Sequence, residues 1–125
     1  MLDHINLPVA ELERSRSFYE KALTPLGYGL IMEHPISGAG FGVGGKPEFW
    51  IKQGTVGSAV HVAFASPDRT TVDAFHAAAL AAGARDNGPP GPRPEYHPNY
   101  YGAFVLDPDG NNVEAVCHAP EGAER

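Results

Sequence analysis

His4 and His61 stand at the same place in two halves of the chain, and Glu114 lies near its end within the alternating run Val113-Glu114-Ala115. Two imidazoles and a carboxylate are donors that hold a divalent ion while leaving positions open for substrate. The set suits non-haem Fe(II) and also Mn, Ni or Zn. Taken alone, a histidine on a strand is ordinarily a hydrogen-bonded structural residue. What favours a ligand set is the duplication, joined by a carboxylate on the last strand.

A second group of polar and ring-bearing residues runs Glu95-Tyr96-His97-Pro98-Asn99-Tyr100-Tyr101. Tyr96, His97 and Tyr100 are candidates for proton transfer or substrate orientation, since imidazole titrates near neutral pH. The competing reading is that they close a loop on the body of the protein or on a neighbouring subunit. Arg93 either pairs with a substrate carboxylate or stays solvated. Phe41, Trp50, Tyr101 and Phe104 are candidate substrate-binding walls, with core packing the other reading for Trp50. His34, His76 and His118 lack such support, so surface or packing roles are expected for them.

These residues are positioned by a repeat. His4, Ile5, Leu7, Phe18, Ala22 and Leu23 align with His61, Val62, Phe64, Phe75, Ala79 and Leu80 at a constant offset of 57, and Gly27 aligns with Gly83 at 56. Each copy opens with an alternating strand: Ile5, Leu7 and Val9 share one face, as do Val60, Val62 and Phe64, which leaves His4 and His61 on the other. An apolar stripe at helical spacing follows over 11–23 and again over 69–82. Ser66 and Asp68 around Pro67 are capping types, and Gly83 is a plausible stop. The second copy ends in a hairpin, 101–106 and 112–117 about the turn Asp107-Pro108-Asp109-Gly110, matched in the first by 41–43 and 49–52 about 44–47. Residues 89–94 are rich enough in Pro and Gly to predict a surface loop.

At 125 residues the chain is expected to form a single domain, 1–125, with module 1 over 1–55, module 2 over 56–120 and a tail at 121–125. A net charge of −6 offers no basic stripe for phosphates, so a small molecule is a better expected partner than nucleic acid. Lone Cys117, the lack of a leader pattern and the lack of a membrane-length apolar run point to a cytoplasmic protein without a membrane partner. An open sheet edge favours a homodimer.

The segments Asp3-His4-Ile5-Asn6-Leu7-Pro8-Val9, Arg14-Ser15 with Phe18-Tyr19, Val60-His61-Val62-Ala63, and Asp107-Pro108-Asp109-Gly110 followed by Val113-Glu114 resemble the vicinal oxygen chelate superfamily over nearly the whole chain. That superfamily includes glyoxalase I, extradiol ring-cleaving dioxygenases, fosfomycin-resistance enzymes and bleomycin-binding proteins. The resemblance implies an α+β fold of two tandem βαβββ modules, a curved, incomplete eight-stranded barrel with helices outside. It also implies a divalent metal that chelates vicinal oxygens of a small substrate, and a dimer that sometimes builds each cleft from both chains.

Glyoxalase-type members usually carry four protein ligands, from the first and last strands of each copy. Here Trp50 occupies the place that matches Glu114, so a fourth ligand is missing unless Glu48, which points the same way in a regular strand, replaces it. The extradiol motif is partly present, with His97 before Asp107, Pro108, Gly110 and Glu114, but Phe104 stands where that family has a proton-donating Tyr. The resemblance thus implies first a glyoxalase-like lyase or isomerase, acting through a Lewis-acidic ion, and second an extradiol-type dioxygenase. The alternative is a non-catalytic binding protein of bleomycin-resistance type, its aromatic cleft lined by Phe41, Trp50, Tyr96, Tyr100 and Tyr101.

Overall fold

The computed structural model describes residues 1–35 and 38–122, so 123–125 of the expected tail lie outside it. The first half runs β1 (Ile5–Val9), α1 (Leu12–Ala22), β2 (Gly29–His34), β3 (Gly38–Val43) and β4 (Lys46–Gln53). The second runs β5 (His61–Ala65), α2 (Arg69–Ala81), β6 (Arg85–Pro92), β7 (Tyr101–Leu106) and β8 (Asn112–Cys117). Each half is a βαβββ module with its own four-stranded mixed sheet, ordered β1-β4-β3-β2 and β5-β8-β7-β6, and no closed barrel forms. In both sheets the opening strand lies parallel to the closing one, Asn6 opposite Trp50 and Ala63 opposite Glu114. That shared register makes Trp50 and Glu114 counterparts.

Local chemistry sets the helix ends. Asp68, in extended backbone, accepts a 2.8 Å hydrogen bond from the Thr71 amide and so satisfies an orphan donor of α2. Gly83 (φ +105) ends α2, and Gly27 (φ +83) ends the short 3-10 turn Thr24–Leu26 that follows α1, each in the left-handed region where a side chain is costly.

Alternate residues of every sheet face the helices, and those of both modules join one apolar cluster. At the junction the rings of Tyr28 and Phe49 each lie 5.3 Å from that of Phe64. The modules are also tied by polar groups. Asp107, only 5% exposed, accepts from the amides of Asp109 (2.9 Å) and Asn111 (2.8 Å), from Asn111 Nδ2 (3.0 Å) and from the phenol of Tyr19 on α1. Asp109 in turn faces Arg14 at 3.5 Å and the Ala10 amide at 3.3 Å. The Asp107-Pro108-Asp109-Gly110 turn of one module is therefore seated in the other.

The expected loop over 89–94 does not hold: residues up to Pro92 belong to β6. That strand is a sheet edge, where prolines lacking N–H cost no ladder bond, and register shifts on both sides of Gly88 (φ +146) absorb the irregularity. His76 of α2, 2.9 Å from Asp86 Oδ1, steadies the shift. The Gly88 amide first, and His76 second, hold the Asp86 carboxyl below the usual range. Among the described residues, no helix is long and apolar enough to cross a membrane.

Candidate functional site

The second sheet turns Glu114, Phe104 and Gly102 away from the helices, because Val113, Ala115, Ala103 and Val105 take the other face. Glu114 is only 1% exposed although it lies on the face away from the helices. Its Oε1 is 2.7 Å from Nε2 of His61, whose side chain is 52% exposed, and its Oε2 accepts from the phenol of Tyr100. Gly102 leaves the space for this: a Cβ there would sit 3.1 Å from Glu114 Oε2 and from the Tyr100 ring. Desolvation first, and then the Glu114 carboxylate, push the Tyr100 phenol far above its ordinary range.

Rings close over this group. Tyr96 stands edge-on to Tyr100 at 5.1 Å, and His118 is edge-on to both Tyr100 and His97 at 5.2 Å. His97 itself accepts from the Asn99 amide at 3.0 Å, within the loop that Arg93 and Tyr100 close by a 2.8 Å backbone bond. Phe104 lies 6.2 Å from the His61 ring, and Arg93 stacks on Phe104 at 5.4 Å.

The structure thus brings together His61, Glu114, Tyr96, His97, Tyr100, Arg93 and Phe104. It does not bring in the others. Phe41 is fully buried on the helix side against Tyr19 and Phe49, so it is no pocket wall. Tyr101 shares parity with Ala103 and Val105; its phenol donates to Asp73 at 2.7 Å and its ring lies under Arg69, again on the helix side. Trp50 lies over Gly40 in the first sheet, half-buried. His4, exposed just before β1, pairs with Asp3 at 2.8 Å and lines a recess with Tyr28, Glu48 and Val62 to Ala65. Glu48 there accepts from the Tyr28 phenol at 3.1 Å. His118 was not foreseen as a neighbour of the site, although Glu114, Val116 and His118 fall at alternate positions.

Imidazole nitrogen and carboxylate oxygen are the right donor types for a divalent ion, and His61 with Glu114 supplies two of them side by side. A third donor is not added by the same chain: among the described residues no three His, Cys, Asp or Glu side chains form a group able to hold a metal. The convergence of His4 on His61 and Glu114 expected from the repeat is therefore absent within one chain, since His4 lies just before β1 of the other module.

Four phenols are raised above their ordinary range, with burial the leading cause: Tyr19, Tyr28, Tyr100 and Tyr101, the last to about 12. A raised folded-state value favours the neutral phenol in the native protein. The stability this contributes is complete below the unfolded value, about 10, and is lost as pH rises toward the folded values. Denaturation midpoints are expected to hold to pH 9 and fall by pH 11, with phenolate absorbance at 295 nm lagging that of the unfolded chain. Native phenols that all titrate with the unfolded ones would contradict this.

Two mixed sheets of βαβββ topology, with a His–Glu–Tyr group on the outward face of the second, define a class of fold rather than one reaction. The description Glyoxalase/Bleomycin resistance protein/Dioxygenase superfamily belongs to the family model that matches residues 1–115, and the chain is a member of that superfamily. Among solved structures it is similar to a glyoxalase/bleomycin resistance protein from Albidiferax ferrireducens T118, at 29% identity and TM-score 0.80, over 94% of this chain and 98% of that one. A lactoylglutathione lyase from Agrobacterium tumefaciens is 19% identical with TM-score 0.70, over 94% of this chain and 92% of that one. TioX from Micromonospora sp. ML1 is also 19% identical with TM-score 0.70, over 95% and 99%. The last two likenesses are of fold alone. No curated protein matches the chain.

Proposed function

We propose that the chain is a glyoxalase-like enzyme of lyase or isomerase type, acting on a small substrate with adjacent oxygens, and that it works as a homodimer. The observation that carries this reading is Glu114: a carboxylate almost without exposure, on the face away from the helical core, its two oxygens held by a half-exposed imidazole and a phenol. A carboxylate so placed is suited to taking a proton from carbon next to a carbonyl. Tyr100, neutral at physiological pH, is suited to donating a hydrogen bond to the oxygen where charge develops. His61 is exposed enough for a ligand to reach, and Tyr96 and His118 pack edge-on to the Tyr100 ring beside it.

His61 and Glu114 would hold a divalent ion, Fe, Mn, Ni or Zn, with His4 of a second copy as the third donor. Such an ion, when bound, supplies Lewis acidity toward paired substrate oxygens. The dimer is supported by β1, which follows His4, and β5, which opens on His61: each ends its sheet with an unpaired edge among the described residues. The other reading is sequestration without chemistry. It is favoured by the ring cluster and by the separation of His4 from His61 and Glu114.

Metal analysis of protein purified without chelator separates the two. Near-stoichiometric metal, lost in His61→Ala and in His4→Ala, is expected, together with a light-scattering mass twice the 13.3 kDa of the chain. No metal in the wild-type protein would leave sequestration as the reading; a monomer binding metal without His4 would remove the shared site.

A further inference from the structure

Beside His61 the outward face of the second sheet forms a recess lined by Asn87, Gly88, Arg93, Tyr96, Phe104 and Asn112. The guanidinium of Arg93 is fixed there. Its Nη1 donates to the carbonyls of Gly91 (2.9 Å) and Pro92 (3.4 Å) and its Nη2 to that of Pro89 (2.8 Å), while its Cζ lies over the Phe104 ring. Gly88 and Gly91 make room for it: a Cβ on either would lie 3.3 or 3.2 Å from a guanidinium nitrogen.

A guanidinium has five N–H donors, and these three carbonyls leave two unused. Carbonyls are neutral, so the charge is uncompensated as well. Arg14, Arg16 and Arg69 each face a carboxylate, whereas exposed Arg85 and half-buried Arg93 have no ion pair among the described residues, in a chain with 15 acidic residues to 9 basic ones. Asn112 spends its side-chain oxygen on Asn87 at 3.2 Å, which leaves its own N–H groups for an acceptor in the same recess. The edge strand thus holds a cation still and unpaired, one phenyl ring away from His61.

The geometry points to an organic acid as the substrate class: a small molecule whose carboxylate is received by Arg93 and Asn112 and whose apolar middle lies along Phe104 and Tyr96. Its reacting oxygens then reach His61 and Glu114. This deepens the function proposed above and rests on it for the identity of the reacting end only.

The test uses the full chain, 15N-labelled, titrated at pH 7 with 3-phenylpropionate and with its uncharged counterpart 3-phenylpropionamide. The acid is expected to shift the amides of β6 and to bind about tenfold or more tightly than the amide, the scale of one charge-assisted hydrogen bond. Arg93→Gln should bring the two probes to equal affinity, and Arg93→Lys, which keeps the charge but not the three-carbonyl clamp, should retain part of the preference. Equal affinities in the wild-type protein, no saturable shift from either probe, or a preference that survives Arg93→Gln would overturn the proposal. So would Arg93→Lys losing as much as Arg93→Gln, which would make the guanidinium only a clamp for the strand. Because the readout does not require metal, failure here with His61→Ala behaving as expected would reject the acid and spare the metal site.

Discussion

Asp107→Ala is expected to lower the unfolding free energy by about 3–5 kcal/mol, the cost of removing one partner from a buried charged network. Asp107 collects two backbone amides, a side-chain amide and the Tyr19 phenol, and the donors on Tyr19 and Asn111 are buried, so these lose their acceptor when the carboxylate is gone. An unsatisfied buried donor costs about 1–3 kcal/mol, and compensation by relaxation keeps the total below a simple sum. Against a typical domain stability of about 5–15 kcal/mol, the loss is a large fraction. Urea unfolding followed by tyrosine and tryptophan fluorescence measures it. Tyr19→Phe, which removes one donor and leaves the carboxylate three, should cost about 1–2 kcal/mol on the same scale. A loss below 1 kcal/mol for Asp107→Ala would mean that the turn is held by its backbone alone.

Glu114→Gln should behave in the opposite way. Among the described residues its oxygens are held by two side chains, His61 and Tyr100, and by no backbone donor. If its burial serves the proposed function, replacing the carboxylate with a neutral isostere leaves the melting temperature unchanged or raises it. On the proposed glyoxalase-like reading, turnover should fall by about 10²–10⁴, the usual contribution of a positioned acid–base group. A spectroscopic signature goes with it. Part of what raises the Tyr100 phenol is the Glu114 charge, so its absorbance transition should move down in pH in the variant. A variant that lost stability and turnover together, with the phenol unmoved, would make Glu114 a structural residue like Asp107.

Much of the fold was legible because the repeat doubles every weak signal. The strand–helix–strand opening of each half, the cap at Asp68, the stop at Gly83 and the final hairpin all follow from pattern and turn chemistry. Parity on β8 sets Glu114 apart from Val113 and Ala115, and the same parity on β7 places Tyr101 with Ala103 and Val105. Phe41 was harder, because glycines on both sides leave β3 without the contrast that alternation needs. The edge strand through Pro89, Pro90 and Gly91 has the composition of a loop, and its register shifts depend on β7, a partner that composition does not reveal. For the same reason the cradle of Arg93 was invisible, and the distance of His4 from His61 depends on how two sheets pack rather than on either alone.

The seating of the Asp107-Pro108-Asp109-Gly110 turn against Tyr19, Arg14 and Ala10 has a consequence for how the two copies diverge. Neither half owns a finished interior, so substitutions on the helix-facing side of one are answerable to the other and the ancestral likeness persists there. The outward surfaces carry no such mutual obligation. One position in the common register has become an indole in the first half, at Trp50, and a carboxylate in the second, at Glu114, so that a symmetric scaffold presents two unlike faces.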